Sequence, residues 1–346
     1  MQNNKLIPAA RARLVVAGLV GLGAGLGLSA AQADDLRVVA TIKPIHSLVA
    51  QVMGETGTPG LLVKGAASPH SYSLKPSDAK ALNEARVVFR VSETIEPFTK
   101  KIVASLPKAV TVATLAEAPG VTLLETRTGD TFEAHAHDHD GGDDHGHDAT
   151  KHEDHGHEEA AQAGDGEGDQ PHGSRDGHVW LDPQNAIAMV NEIARVLKEA
   201  RPDLAATFDA NAAAAIQSIK AVQEEIAAAV APLRGKPYAV FHDAYQYFER
   251  RFDLPALGSI TVSPEVQPSA KRISEIRTKI RDLKAACVFA EPQFKSKLVD
   301  AVLEGTGARA GSLDPEGAMI EPGPQAYTAL LRSLAANLKG CLAPQG

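Results

Sequence analysis

Thirteen histidines punctuate this 346-residue chain, and nine of them fall between His135 and His172, in a run of His, Asp, Glu and Gly. His135, His137 and His139, then His145 and His147, then His155 and His157 form His-x-His groups interleaved with carboxylates, with His152 among them. Such tracts bind divalent cations with modest affinity and little geometry. They are read as loose metal collectors, with a solvated spacer that binds metal incidentally as the alternative. The other four, His46, His70, His178 and His242, stand singly in segments patterned like folded structure. That division implies one specific site beside a crowd of weak ones.

Three of the single histidines share a kind of position. His70 follows the apolar run 61–63 and precedes a helix expected to open near Ser77. His178 comes just before a helix starting at Pro183, and His242 ends the run 238–241. Asp314 follows the run 308–313 in the same way. In open α/β sheets ligands bind beyond the carboxyl ends of strands, which is where His70, His242 and Asp314 would fall. Three neutral imidazoles and one carboxylate make a tetrahedral donor set suited to Zn²⁺. Mn²⁺ would prefer more oxygen, whereas Cu²⁺, Co²⁺ and Ni²⁺ are not excluded by ligand type. No two of these residues are close in sequence, so spacing alone does not establish the site. Glu291, at the end of the run 287–290, either orients a ligand histidine or caps the next helix. His46 either faces the same site or has a structural role, and Trp180 is expected to pack beside His178.

The elements that must position these groups alternate along the chain. Apolar, β-branched runs at 36–41, 61–63, 87–91 and 110–114 are separated by helical stretches such as 44–53 and 77–85. The alternation returns after the ribbon, with runs at 238–241, 257–261, 287–290 and 308–313. Strand and helix taking turns twice predicts an α/β fold of two parallel-sheet lobes. Residues 202–231 are free of glycine, dense in alanine and bracketed by Pro202 and Pro232, which predicts one long rigid helix. It is read as a stiff connection between lobes, with a surface helix of one lobe as the alternative. The expected organisation is a signal peptide at 1–33, an N-terminal lobe at 34–201 carrying the ribbon at 133–172, the linking helix at 202–231 and a C-terminal lobe at 232–346.

Residues 1–33 carry Lys5, Arg11 and Arg13, then an apolar stretch ending at Leu28, then Ala31-Gln32-Ala33. This is the pattern of a cleaved secretory signal. The apolar stretch falls short of the ~20 residues of a spanning helix, so no membrane anchor is expected. With no cysteine after it to take a lipid, the product should be free in a Gram-negative periplasm. Cys287 and Cys341, the only cysteines, are then expected to form a disulfide, with two free thiols as the alternative. The formal charge of −8 is unevenly spread, because residues 133–169 hold thirteen acids against one lysine. The body is close to neutral, which makes nucleic acid an unsuitable partner. The ribbon, without Phe, Tyr or Trp, is expected to be disordered without metal.

Four strings carry a resemblance: SPHSYSLKPSDAKAL at 68–82, HVWLDP at 178–183, VFHDAYQYFERRF at 240–252 and CVFAEPQF at 287–294. Together they resemble the periplasmic zinc-binding proteins of high-affinity zinc ABC importers, a family that also carries a histidine-rich acidic loop before HVWLDP. The resemblance implies two α/β lobes joined by one long helix, with the metal in the cleft between them. It implies His70, His178 and His242 as ligands of Zn²⁺ carried as cargo, with Asp314 as the fourth. Manganese-binding relatives have glutamate where this chain has His242. Some zinc-binding members place glutamate immediately before the first histidine; here that residue is Pro69, which leaves the fourth position to Asp314 or to water. The implied protein is not an enzyme. It would work as a monomer with an inner-membrane ABC permease and its ATPase as partners, shifting by a modest tilt of lobes on a stiff connector. A periplasmic zinc buffer, a metal-dependent adhesin and a secreted zinc hydrolase using Glu291 as base are the alternatives.

Overall fold

The computed structural model describes residues 36–127, 132, 175–261, 268–294 and 297–343. The expected signal peptide and the ribbon histidines, His135 to His157 and His172, lie outside the described residues.

The first half of the chain alternates β1 (Val38–Ala40), α1 (Lys43–Met53), β2 (Gly60–Leu61), α2 (Pro76–Glu84), β3 (Val87–Arg90), α3 (Thr99–Ser105) and β4 (Thr111–Thr114). The strands form one parallel sheet in the order β2-β1-β3-β4. Its central strands, VVA and VVFR, are apolar up to the closing Arg90 and are buried along their whole length. Helices cover both faces of such a sheet, so neither side of the strand can be polar.

Next come β5 (Leu124–Glu125), β6 (Arg175–Asp176), α4 (Pro183–Ala200) and α5 (Ala205–Val230). β5 and β6 pair antiparallel, bringing together the two ends of the chain that flank residues 128–174. The sequence patterning did not reveal them, since two residues per strand are too few to set a period. α5 runs for 26 residues, about 39 Å at 1.5 Å per residue. Phe208, Ala212, Ala215, Ile219, Val222, Ile226 and Val230 are buried at helical spacing along one face.

The second half repeats the alternation with β7 (Tyr238–His242), α6 (Gln246–Phe252), β8 (Ser259–Thr261), α7 (Ala270–Asp282), β9 (Cys287–Ala290), α8 (Lys297–Leu303), β10 (Arg309–Ser312) and α9 (Ala326–Leu342). Its sheet is parallel in the order β10-β9-β7-β8. Each sheet therefore has the same topology: its second strand lies beside the first on one side, and its third and fourth extend from the other. The switch point falls between the first and third strands, here β7 and β9. Their carboxyl ends open a crevice suited to a ligand.

The described residues form one compact unit. A continuous apolar core runs from Val38 and Phe89 in the first sheet, through Trp180 and Phe208, to Phe289 and Leu334. The last helix contributes to this continuity, packing on α1, α5 and β10 together. A disulfide joins Cys287 in β9 to Cys341 in α9. No helix among the described residues is long and apolar enough to cross a membrane.

Candidate metal centre

His70, His178 and His242 come from three distant parts of the sequence and converge. One ring nitrogen of each lies within 4.8 Å of the others. The ring centroids are separated by 5.4 Å for His70 and His178, 5.8 Å for His70 and His242, and 5.3 Å for His178 and His242. His242 is the last residue of β7, so the sheet fixes its backbone. His178 sits at the entry to a short turn, Val179–Leu181, that leads to α4. Asp182 caps α4 through Gln184 N–H and holds Arg251 of α6 through two bonds of 2.7 Å. His70 lies in the turn Pro69–Ser71, whose start is capped by Ser68 accepting His70 N–H.

The tautomers follow from the partners. His178 Nδ1 is 2.8 Å from Asp176 Oδ1, and His242 Nδ1 is 2.5 Å from Glu291 Oε1. A carboxylate only accepts, so both imidazoles donate from Nδ1, and in the neutral form each then carries its lone pair on Nε2. Those two Nε2 atoms are 3.4 Å apart. A tetrahedral ion with Zn–N bonds of about 2.0–2.1 Å spaces its nitrogens about 3.3–3.4 Å apart. Two lone pairs facing each other at that distance repel unless a cation lies between them.

Burial, reinforced by the neighbouring His178 and His242, holds the His70 pKa well below its ordinary value of 6.5. That keeps the ring neutral, the form that binds metal. The pocket lined by the three histidines, Pro69, Glu291 and Glu316 has room for about one water-sized body.

Glu291 accepts from His242 Nδ1, the contact that the first of the two roles considered for it requires. β9 brings it beside β7 at the switch point. Asp176 does the same for His178 and was not singled out from the sequence. The only signal was its place two residues before the histidine, in DGH. Gly177 between them is required by space: a Cβ there would stand 2.6 Å from Ile95 Cγ1.

Asp314 does not join the group. Its Oδ1 accepts Glu316 N–H, Gly317 N–H and Gln293 Nε2–H, while its Oδ2 accepts Ala318 N–H. Its carboxylate closes its own turn, as short acidic side chains commonly do. His46 also lies apart, its Nε2 hydrogen-bonded to Pro59 O, and makes no hydrogen bond with the three histidines. Of the two roles considered for it, the structural one fits this position. Trp180 packs against His178 at 5.4 Å and donates Nε1–H to Pro315 O.

The family profile described as "Zinc-uptake complex component A periplasmic", ZnuA, matches residues 38–341. The chain belongs to the ZnuA family. The high-affinity zinc uptake system protein ZnuA of Brucella abortus is 50% identical over 306 residues, covering 88% of this chain and 91% of the Brucella protein. A crystal structure of ZnuA aligns with a TM-score of 0.70 at 22% identity, covering 90% of this chain and all of that one. FpvC of Pseudomonas aeruginosa, solved with Mn²⁺, aligns with a TM-score of 0.69 at 21% identity, covering 89% of this chain and 98% of that one. The ZnuA fold is thus shared with a protein solved around another metal, and donor chemistry must decide which ion this chain takes.

Proposed function

We propose that this protein captures Zn²⁺ in the periplasm of a Gram-negative cell and delivers it to an inner-membrane ABC permease driven by its ATPase. The observation that carries the reading is the 3.4 Å separation of the His178 and His242 Nε2 atoms, with both Nδ1 positions held by carboxylates and His70 completing the set. Three neutral nitrogens favour zinc over manganese, which prefers oxygen. Asp176 and Glu291 balance the two charges of the ion without binding it, which also makes their imidazoles better donors. A pocket with room for one ion supports a carrier of bare metal over a hydrolase, whose substrate would need a larger cleft.

The remaining parts fit this role. Residues 1–33 direct export and are removed, leaving Asp34 as the first residue of a periplasmic monomer. The ribbon, which precedes Asp176 and His178 in the chain, gathers zinc weakly and so supplements the tight site.

Competition of the protein against a zinc chelator tests the reading. The wild type should hold one tight ion, and His70→Ala, His178→Ala and His242→Ala should each lose it. A version lacking 133–169 should keep it and lose only weak sites. In cells without their own uptake system, the wild-type chain, with its permease and ATPase, should restore growth in zinc-depleted medium while His242→Ala fails. Tight binding that survives all three substitutions would overturn the assignment.

A further inference from the structure

Gln293 stands in the wall of the three-histidine pocket, in the turn that follows β9. The orientation of its amide is dictated by its partner. Nε2 lies 2.7 Å from Asp314 Oδ1, and a carboxylate only accepts, so the group facing Asp314 is the NH₂ and the atom left over is the carbonyl oxygen. That oxygen, Oε1, is buried and accepts no hydrogen bond from any described residue. A buried amide oxygen without a donor is costly, and one in the wall of a ligand pocket calls for a ligand that donates.

The neighbouring groups do not supply that donor. The Nδ1–H of His178 goes to Asp176 and that of His242 to Glu291, while the carboxylates of Glu291 and Glu316 in the same wall only accept. Nor is Gln293 free to turn elsewhere. Asp314 Oδ1 also accepts the amides of Glu316 and Gly317, and its Oδ2 accepts that of Ala318, so the carboxylate that grips Gln293 is itself fixed by its turn. Asp314 thereby has a place beside the metal centre without a bond to the ion: it aims an amide.

We propose that Gln293 holds, through Oε1, the water molecule that fills the fourth position on zinc. This rests on the three-histidine reading above and names the residue that positions the water. Zinc bound by three protein ligands keeps a water in its open position, and the ion polarises that water into a strong hydrogen-bond donor. A neutral amide oxygen is outside the usual direct ligands of zinc, which are imidazole, thiolate and carboxylate, yet it is a sound acceptor. The kind of acceptor bears on function. A carboxylate aimed at the water would be a general base and turn it into an attacking hydroxide, whereas an amide does not take the proton. The water stays a passive, replaceable ligand, which suits a site that must give up its ion.

The test uses the full chain with Zn²⁺ and Co²⁺ as probes. Crystals of the zinc-loaded wild type should show an oxygen about 2.0–2.2 Å from the ion and about 2.7–2.8 Å from Gln293 Oε1. A side-chain oxygen in the fourth position, that of Gln293 included, would overturn the proposal, as would a water whose partner is Glu316 instead. In solution, Gln293→Met keeps the length of the side chain and removes the acceptor. It should weaken zinc binding by about ten-fold and shift the visible absorption of the Co²⁺ form, which responds to the fourth ligand. Weaker binding with an unchanged Co²⁺ spectrum and a lower metal-free melting temperature would mean that Gln293 only supports the fold, and overturns its role. Unchanged affinity in Gln293→Met, with binding lost in His178→Ala, overturns the proposal and leaves the three histidines standing. Unchanged binding in both variants overturns the proposal and the three-histidine site together.

Discussion

His178 and His242 are useful because each is held at its back. Without Asp176 and Glu291 either ring could protonate Nε2 or rotate, and the lone pair would no longer point at its neighbour. Asp176→Asn and Glu291→Gln should each weaken zinc binding by about 10–100-fold without unfolding the protein. The chelator competition that measures it should show the two losses nearly adding, since the carboxylates act on different rings. The imidazoles were legible in the sequence through the matched strings, since their spacing alone did not establish a site. The acids were not. Asp314, Asp176 and Glu291 look alike as letters, and only the fold decides which one spends its oxygens on backbone amides and which two accept from the imidazoles. In DPEG the short side chain closes the turn and the longer one two residues on reaches the pocket.

The strands and helices were largely visible, because buried parallel strands read as uninterrupted apolar runs. β3 was expected at 87–91 and is Val87–Arg90; β9 was expected at 287–290 and is Cys287–Ala290. The β5–β6 pair escaped because its strands are held by Tyr247, far along the chain. Tyr247 accepts Leu124 N–H and donates to Asp176 O. Gly177, next to that pair, permits the close packing on Ile95, and Gly177→Ala should cost about 1–3 kcal/mol by overpacking, measured by denaturant unfolding, with weaker zinc binding as His178 shifts. Just after β3, burial lifts the pKa of Glu96 to about 7, although Thr41 and the amides of Val91 and Ser92 oppose the shift. A raised carboxyl pKa gives stability that is complete below the ordinary value of 4.5 and is lost as pH rises through 7. Glu96→Gln, able to keep the bonds to Thr41, Val91 and Ser92, should be near neutral at low pH and stabilising above pH 7. Melting temperatures of the two proteins should therefore coincide at low pH and diverge as pH rises through 7; parallel curves would refute the assignment of the proton to Glu96.

Taken as one body, the molecule is tied across the line between its sheets. Lys43 reaches the turn at Gly317, Ser47 of α1 donates to Pro324 O and accepts Tyr327 N–H, and Arg127 bridges Asp243 and Glu249 of the second half. Together with the continuous core and α5, these ties predict a small rearrangement on metal binding. The disulfide between β9 and α9 belongs to the same scheme. Reducing it, or replacing both cysteines, should cost about 2–5 kcal/mol, read as a lower melting temperature in reductant. Acid acts on the whole metal-free protein through His70. Its folded pKa is depressed, so the unfolded chain takes up a proton that the pocket refuses, and stability falls as pH drops below 6.5 toward the folded value. Zinc, which needs the neutral ring, should offset that loss until the folded pKa is reached.

All of this converges on where a zinc ion comes to rest. Crystals grown with zinc, with diffraction recorded on both sides of the zinc absorption edge, would locate it without reference to any assumed ligand. A single strong anomalous peak about 2.0–2.1 Å from Nε2 of His178, Nε2 of His242 and a ring nitrogen of His70 is the expected result. A fully loaded protein with no peak among those three rings would contradict the account.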